Sequence, residues 1–244
     1  MNETNLTQIW VYLSTSPLLG LTVTLIAYLA GIRLYQLSNG NPVVNPVAIA
    51  IILIIAYLFI SSTRFETYFE GAQFVHFLLG PATVAFAIPL YQQIAKLKAI
   101  WIPLLISVFI GVSVGALSSI GIASILGASI ETVLSLAPKS MTTPIAMGVS
   151  QQLGGLPSLT AVLVISTGII GAVMGTRLFE LMKIEDDSVK GIAMGLNAHG
   201  IGTARGFQVS SEMGAFAGLG MALMAFSGPL LIPWLLSLFG LGSF

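Results

Sequence analysis

The chain has 244 residues, of which 56% are hydrophobic and only 7% charged. A soluble globule carries about 25% charged residues, so this composition excludes one and calls for an integral membrane domain. A formal net charge of +0 argues against nucleic acid as a partner and against a purely electrostatic membrane anchor. The absence of cysteine removes disulfides, thiolate nucleophiles and cysteine-ligated metals. A helical span takes about 20 apolar residues. The reading is therefore an all-α polytopic membrane protein, one domain over 1–244 with roughly six to eight membrane segments.

In chain order, residues 1–10 contain no Lys or Arg, and no cleaved signal peptide is expected. Residues 17–37 form the first span, followed by the turn signals of SNGNP. Asn45-Pro46 opens a second span to about 60, and SSTRFETYFEG is the first aqueous loop. Over 65–98 the pattern breaks: Gln73 and His76 interrupt it, and Pro81 and Pro89 punctuate it. A discontinuous segment is expected there. Residues 101–126 and 156–182 are regular spans, and KIEDDSVK (183–190) is the one dense charge cluster, which must be solvated. A last span over 215–239 kinks near Gly228-Pro229.

Between these spans lie two irregular stretches that carry the polar residues. In 131–155, Lys139, Ser140, Thr142 and Thr143 sit between Pro138 and Pro144. Proline removes a backbone donor and clashes with the preceding turn, so the helix breaks here. A broken helix in hydrocarbon is tolerated only where it is buried in protein or lines a wet cavity. A lysine at mid-membrane costs about 2.5–3.5 kcal/mol on insertion scales. It persists by binding an anion, by pairing with an acid such as Glu131, or by snorkelling to an interface. Helix starts at Pro81, Pro138 and Pro144 would aim free N–H groups at a small anion. In 191–211, Gly200 and Gly202 let the backbone leave helical geometry beside Asn197, His199 and Arg205. Arg205 can bind a carboxylate with two parallel bonds. His199 is either a packed hydrogen-bonding residue or a proton carrier, and Glu212 either partners one of these two or sits exposed.

LLGPATVAFAIPLYQQ (78–93) echoes LAPKSMTTPIAMGVSQQ (136–152). Paired proline-broken segments are the best sequence pointer to a transporter site. The echo points to an inverted repeat with halves at about 40–126 and 127–242, and marks Thr83 as a further candidate. The Lys/Arg distribution puts Arg33, Lys96, Lys98, Arg177, Lys183 and Lys190 on the cytoplasmic side if 72–95 crosses and 131–152 enters and returns. GVSVG (111–115) fits a nucleophile pattern, but without strand–turn–helix context it reads as a packing face. Gly111/Gly115, Gly171/Gly175 and Gly214/Gly218 are small-xxx-small faces, which suit a homodimer as well as internal packing. Two separated histidines form no metal motif, no cofactor is called for, and enzymatic activity is not expected.

NPV (45–47), LLGPATVAFAIPLY (78–91), PKSMTTPIAM (138–147) and HGIGTARGF (199–207) together resemble the LrgB/CidB family. Its members are antiholin-like proteins of the bacterial inner membrane, with a plastidial glycolate/glycerate translocator among their relatives. The resemblance implies a multi-pass inner-membrane protein. It further implies transport of a small organic anion such as glycolate, glycerate or pyruvate, or control of murein hydrolases and autolysis beside a small LrgA/CidA-type holin-like partner. The residues favour transport by alternating access, since a passive lysis subunit does not need a lysine, an arginine and two broken helices inside it. Lys139 would then neutralise the carboxylate, Ser140, Thr142 and Thr143 would read its oxygens, Arg205 would gate, and His199 would take a proton.

Overall fold

The computed structural model describes residues 17–78, 81, 84, 85 and 87–238. All regular structure among them is α-helical, and the chain divides into two compact units, 1–85 and 86–244.

In the first unit, α1 (Pro17–Leu37) packs against α2 (Pro46–Ser61) and α3 (Phe65–Phe77). Asn45 caps α2, its Oδ1 accepting from the amides of Val47 at 2.9 Å and Ala48 at 3.1 Å. Pro46 follows at the first helical position, where its missing N–H costs nothing. Ser62 then ends the helix in the left-handed region. Thr24 Oγ1 bonds Tyr68 Oη at 2.7 Å, which fixes α1 on α3.

The second unit holds α4 (Ala87–Gln92), α5 (Ile94–Ala99), α6 (Trp101–Ile125), α7 (Ile130–Leu136), α8 (Thr143–Leu153), α9 (Pro157–Leu181), α10 (Asp187–Val209) and α11 (Ser211–Leu238). Of these, α6, α9 and α11 are long and apolar enough to cross a membrane, as is α1 in the first unit. Half of the most apolar window of α11 is buried in protein, and the helix runs through Pro229 and Pro233 without interruption.

Lys96 defines one end of this unit. Its Nζ lies 3.0 Å from Asp186 Oδ2 and 2.7 Å from Glu212 Oε1. The start of α6, the end of α9 and the start of α11 therefore share this charged end. The far ends of α6 and α9 are joined by residues 126–156, so α7 and α8 enter from the far end and return to it. Of the two courses open to 131–152 in the sequence, crossing fully or entering and returning, this is the second.

The second hairpin is less obvious. A straight helix over Asp187–Val209 would be about 34 Å long, yet Ser210 Oγ donates to Asp187 Oδ2 at 2.6 Å. The chain reverses at His199 (φ 42°, ψ −132°), the one non-helical residue inside the element. Two arms, α10a (187–198) and α10b (200–209), fold onto each other so closely that a Cβ on Gly202 would lie 2.8 Å from the Met194 carbonyl oxygen. The break falls on the histidine rather than on Gly200 and Gly202, which stay helical; Gly202 instead lets the arms close. This hairpin enters from the charged end, opposite in sense to the first.

Candidate functional site

The first hairpin begins at Ser129, whose Oγ accepts from the Thr132 amide at 3.3 Å. After Leu136 the chain makes two overlapping turns, with Lys139 N donating to Leu136 O at 3.1 Å and Met141 N to Pro138 O at 3.0 Å. Thr142 (φ −65°, ψ 145°) starts α8 and Pro144 lies in its first turn, but the Thr142 side chain makes no capping bond. The polar tip is thus Lys139 to Thr143, with the amide end of α8 beside it. Met141 is fully buried and its side chain packs against Gly228 of α11.

Lys139 is half-buried and donates to Ser140 Oγ at 3.2 Å. Among the described residues it has no carboxylate within ion-pair distance. Glu131 is exposed near the far end, so the pairing weighed from the sequence is not formed. Three hydroxyl-bearing residues behind the tip, Ser135, Ser150 and Thr160, are fully buried. Thr160 Oγ1 reaches Ser150 Oγ at 2.7 Å and the Ser135 carbonyl at 3.0 Å, while Leu156 N donates to Ser135 Oγ at 2.7 Å. These bonds tie both arms of the hairpin to α9.

At the second tip, His199 is buried and its Nε2 lies 2.9 Å from the Val164 carbonyl of α9. A carbonyl only accepts, so Nε2 carries a proton and donates. The ring fits because Gly168 lacks a side chain, where a Cβ would sit 2.5 Å from His199 Cε1. Thr203 Oγ1 donates at 2.9 Å to the His199 carbonyl one turn back. Asn197, one turn-face away, is exposed between buried Leu196 and Ala198 and donates through Nδ2 to Ala193 O at 2.9 Å.

The two tips meet at Gly115, near the middle of α6. A Cβ built there would lie 3.9 Å from Ser140 Oγ and 4.0 Å from Asn197 Oδ1. The structure therefore gathers Lys139, Ser140 and Asn197 at one depth, with Thr142 and Thr143 half-buried beside them. Arg205 lies six residues beyond His199, about 9 Å along α10b, and donates to Gln208 Oε1 at 3.1 Å. Glu212 is bonded to Lys96 at the charged end, in the first turn of the last span. Thr83 lies outside the described residues. Pro81 is helical and exposed, and Pro89 sits in the first turn of α4. Of the glycine faces, Gly171 packs on Ala198, Gly175 on Met194 and Gly214 on Phe207, all within the chain.

The charged end carries the strongest electrostatics. Asp186 caps α10a, accepting from the amides of Ser188 at 2.8 Å and Val189 at 3.2 Å. The Ser188 hydroxyl, and after it the Lys96 ammonium, hold its carboxyl well below the usual carboxylate range. Bonds from Lys190 and Ser210 lower Asp187 in the same way. Glu212 and then Asp186 push the Lys96 ammonium up.

Fold and site together define a multi-pass α-helical membrane protein in which two re-entrant hairpins, inserted from opposite ends, bring polar tips together. The chain belongs to the LrgB-like family, whose model matches residues 24–238. It is 34% identical to the uncharacterized protein YwbG of Bacillus subtilis over 90% of this chain and 97% of that one. It is 31% identical to the antiholin-like protein LrgB of Bacillus cereus and of Bacillus anthracis, over 92% of this chain and 98% of each relative. No solved structure matches the chain.

Proposed function

We propose that this protein carries small monocarboxylate anions, of the glycolate, glycerate or pyruvate kind, across the bacterial inner membrane by alternating access. The observation that carries the reading is the meeting of two oppositely inserted broken hairpins at Gly115. Broken helices at membrane depth are the usual scaffold of a midplane transport site. An ammonium with no carboxylate partner among the described residues, beside a helix start whose Thr142 side chain makes no capping bond, favours an anion there. Lys139 neutralises the carboxylate, and Ser140, Thr142 and Thr143 bond its oxygens. Arg205, nearer the charged end, is a second anion contact on the path. His199 holds the reversal of the second hairpin through Val164. Lys96, Lys98, Arg177, Lys183 and Lys190 follow or precede the membrane segments at the charged end, which makes that end cytoplasmic.

The printed names of the Bacillus cereus and Bacillus anthracis relatives favour a second reading, an antiholin-like subunit acting through a holin-type membrane partner. Labelled glycolate, glycerate and pyruvate uptake into proteoliposomes, wild type beside Lys139→Ala, separates the two. Saturable uptake with counterflow, lost in the variant, is the carrier outcome. No uptake by folded protein under an imposed pH gradient overturns it and leaves the antiholin reading, for which Lys139→Ala keeps lysis control intact.

A further inference from the structure

Lys139, Thr142 and Thr143 are all partly open at the first tip. An ammonium at membrane depth faces protein or water, because hydrocarbon holds it only at a high cost. The open part of the tip therefore needs a wet route to one end of the protein, and the two ends differ.

Toward the charged end the tip is sealed. Gly111 lies one turn nearer that end than Gly115 on α6, and buried Leu196 packs there, its Cδ1 3.2 Å from where a Cβ would stand. Outward from Leu196, α10a lies against α11 backbone to backbone. A Cβ on Gly195 would sit 2.8 Å from the Met221 amide nitrogen, and one on Gly191 2.5 Å from the Met213 carbonyl oxygen. Lys96 then clamps the starts of α10a and α11 through Asp186 and Glu212. No residue of α4 or α5 is buried, so this clamp is a surface contact that can open.

The other direction is unobstructed. Along α8, Ala146, Val149, Ser150 and Leu153 are buried, while Pro144, Gly148, Gln151 and Gln152 form the opposite, exposed face. The helix carries that face about 15 Å, from Thr143 beside Lys139 to the far end. None of the four is a large aliphatic or aromatic residue, and a Cβ on Gly148 would meet nothing within 4 Å. The membrane-spanning helices of this unit expose a different surface: Ile106, Phe109 and Ile110 on α6, Val162 and Ile170 on α9. Those side chains suit lipid, and the α8 face suits water.

We infer that the exposed face of α8 is the wall of a water-filled entry leading from the far end to Lys139, and that Leu196 and the Lys96 clamp close this conformation toward the charged end. The gating role rests on the carrier reading above and deepens it by naming the entry and the closure.

The chain has no cysteine, so single cysteines report water directly: maleimide attacks the thiolate, which forms where water reaches it. Gly148→Cys probes the entry and Thr143→Cys the tip. Val162→Cys on the exposed face of α9 and Glu185→Cys in the exposed loop at the charged end are the references. In membrane vesicles of either orientation, a membrane-impermeant maleimide should label Gly148→Cys and Thr143→Cys from the side opposite to Glu185→Cys, and should leave Val162→Cys unlabelled. Adding Lys96→Met should make Thr143→Cys reactive from the Glu185 side and slow its labelling from the other. Gly148→Cys as inert as Val162→Cys, or labelled from the Glu185 side, overturns the entry. Thr143→Cys labelling that ignores Lys96→Met overturns the clamp. Labelling needs no substrate, so either failure in a protein that takes up acid spares the carrier reading. The expected labelling without uptake of any acid overturns the carrier reading, and the gating role with it, and leaves the wet entry standing.

Discussion

Replacing Thr160 with valine keeps the shape of the side chain and removes one buried hydroxyl. Its single proton is within reach of Ser150 Oγ at 2.7 Å, Ser135 O at 3.0 Å and Leu156 O at 3.1 Å. Leu156 O also accepts from the Thr160 amide at 2.9 Å and loses little. The cost falls on Ser150 and Ser135, both fully buried and out of reach of bulk solvent. A buried group left unbonded costs about 1–3 kcal/mol in proteins generally, and single hydrogen bonds inside membrane proteins average about 0.6 kcal/mol. With one proton to lose, Thr160→Val should lower stability by about 1–2 kcal/mol. Thr160→Ser keeps the bond and gives up only a methyl, about 0.8 kcal/mol, so it should lie between wild type and the valine variant. Unfolding in mixed detergent micelles, followed by circular dichroism, measures the series. A valine variant as stable as wild type, or a serine variant less stable than it, would refute the view that these hydroxyls pin the first hairpin to α9.

Two further outcomes concern the second hairpin. Lys96→Met should cost about 1 kcal/mol at neutral pH, because the ion pairs are partly exposed and screened. The Asp186 carboxyl is lowered, so its contribution is present above the ordinary value of 3.8 and fades as pH falls below it. The Lys96 ammonium is raised, so its contribution is complete below 10.5 and fades above it. Thermal midpoints from pH 2 to 9 should therefore show the wild-type advantage closing only at the acid end, and a constant gap counts against the network. Gly168→Ala should displace the His199 ring, which a Cβ would approach to 2.5 Å at Cε1, and His199→Ala should lose its packing and its bond to Val164. Combined, they should cost at least about 0.5 kcal/mol less than the sum of the two, and strict additivity would separate the two residues.

The spans and the first hairpin were legible because their signals are local. Pro138 and Pro144 lie six residues apart around Lys139, and proline acts on its own turn. The segment at 65–98 likewise reads as broken, and its described residues include those of α3, α4 and α5. The reversal at His199 carries no proline, so the sequence shows small residues and polar ends but not that the chain turns back on itself. Only tertiary packing, through Val164 and Gly168, holds a histidine at φ 42°. The Lys96 network joins residues 90 and 116 positions apart, and the Ser135–Ser150–Thr160 cluster joins three weakly polar residues on three helices. Neither has a spacing to read. Gly115 was legible as small, but its partners were not.

The opposed hairpins also constrain how the protein is made. Neither α7–α8 nor α10 spans the bilayer, so neither can leave the translocon as a self-sufficient helix. Their unpaired backbone groups and polar tips are tolerable only against protein. The first hairpin must wait for α9, which supplies Thr160. The second must wait for α11, since Gly191 and Gly206 both close on the backbone at Met213. The helix that follows the second hairpin is thus the wall on which that hairpin is completed, and assembly of the site is deferred until α11 has emerged.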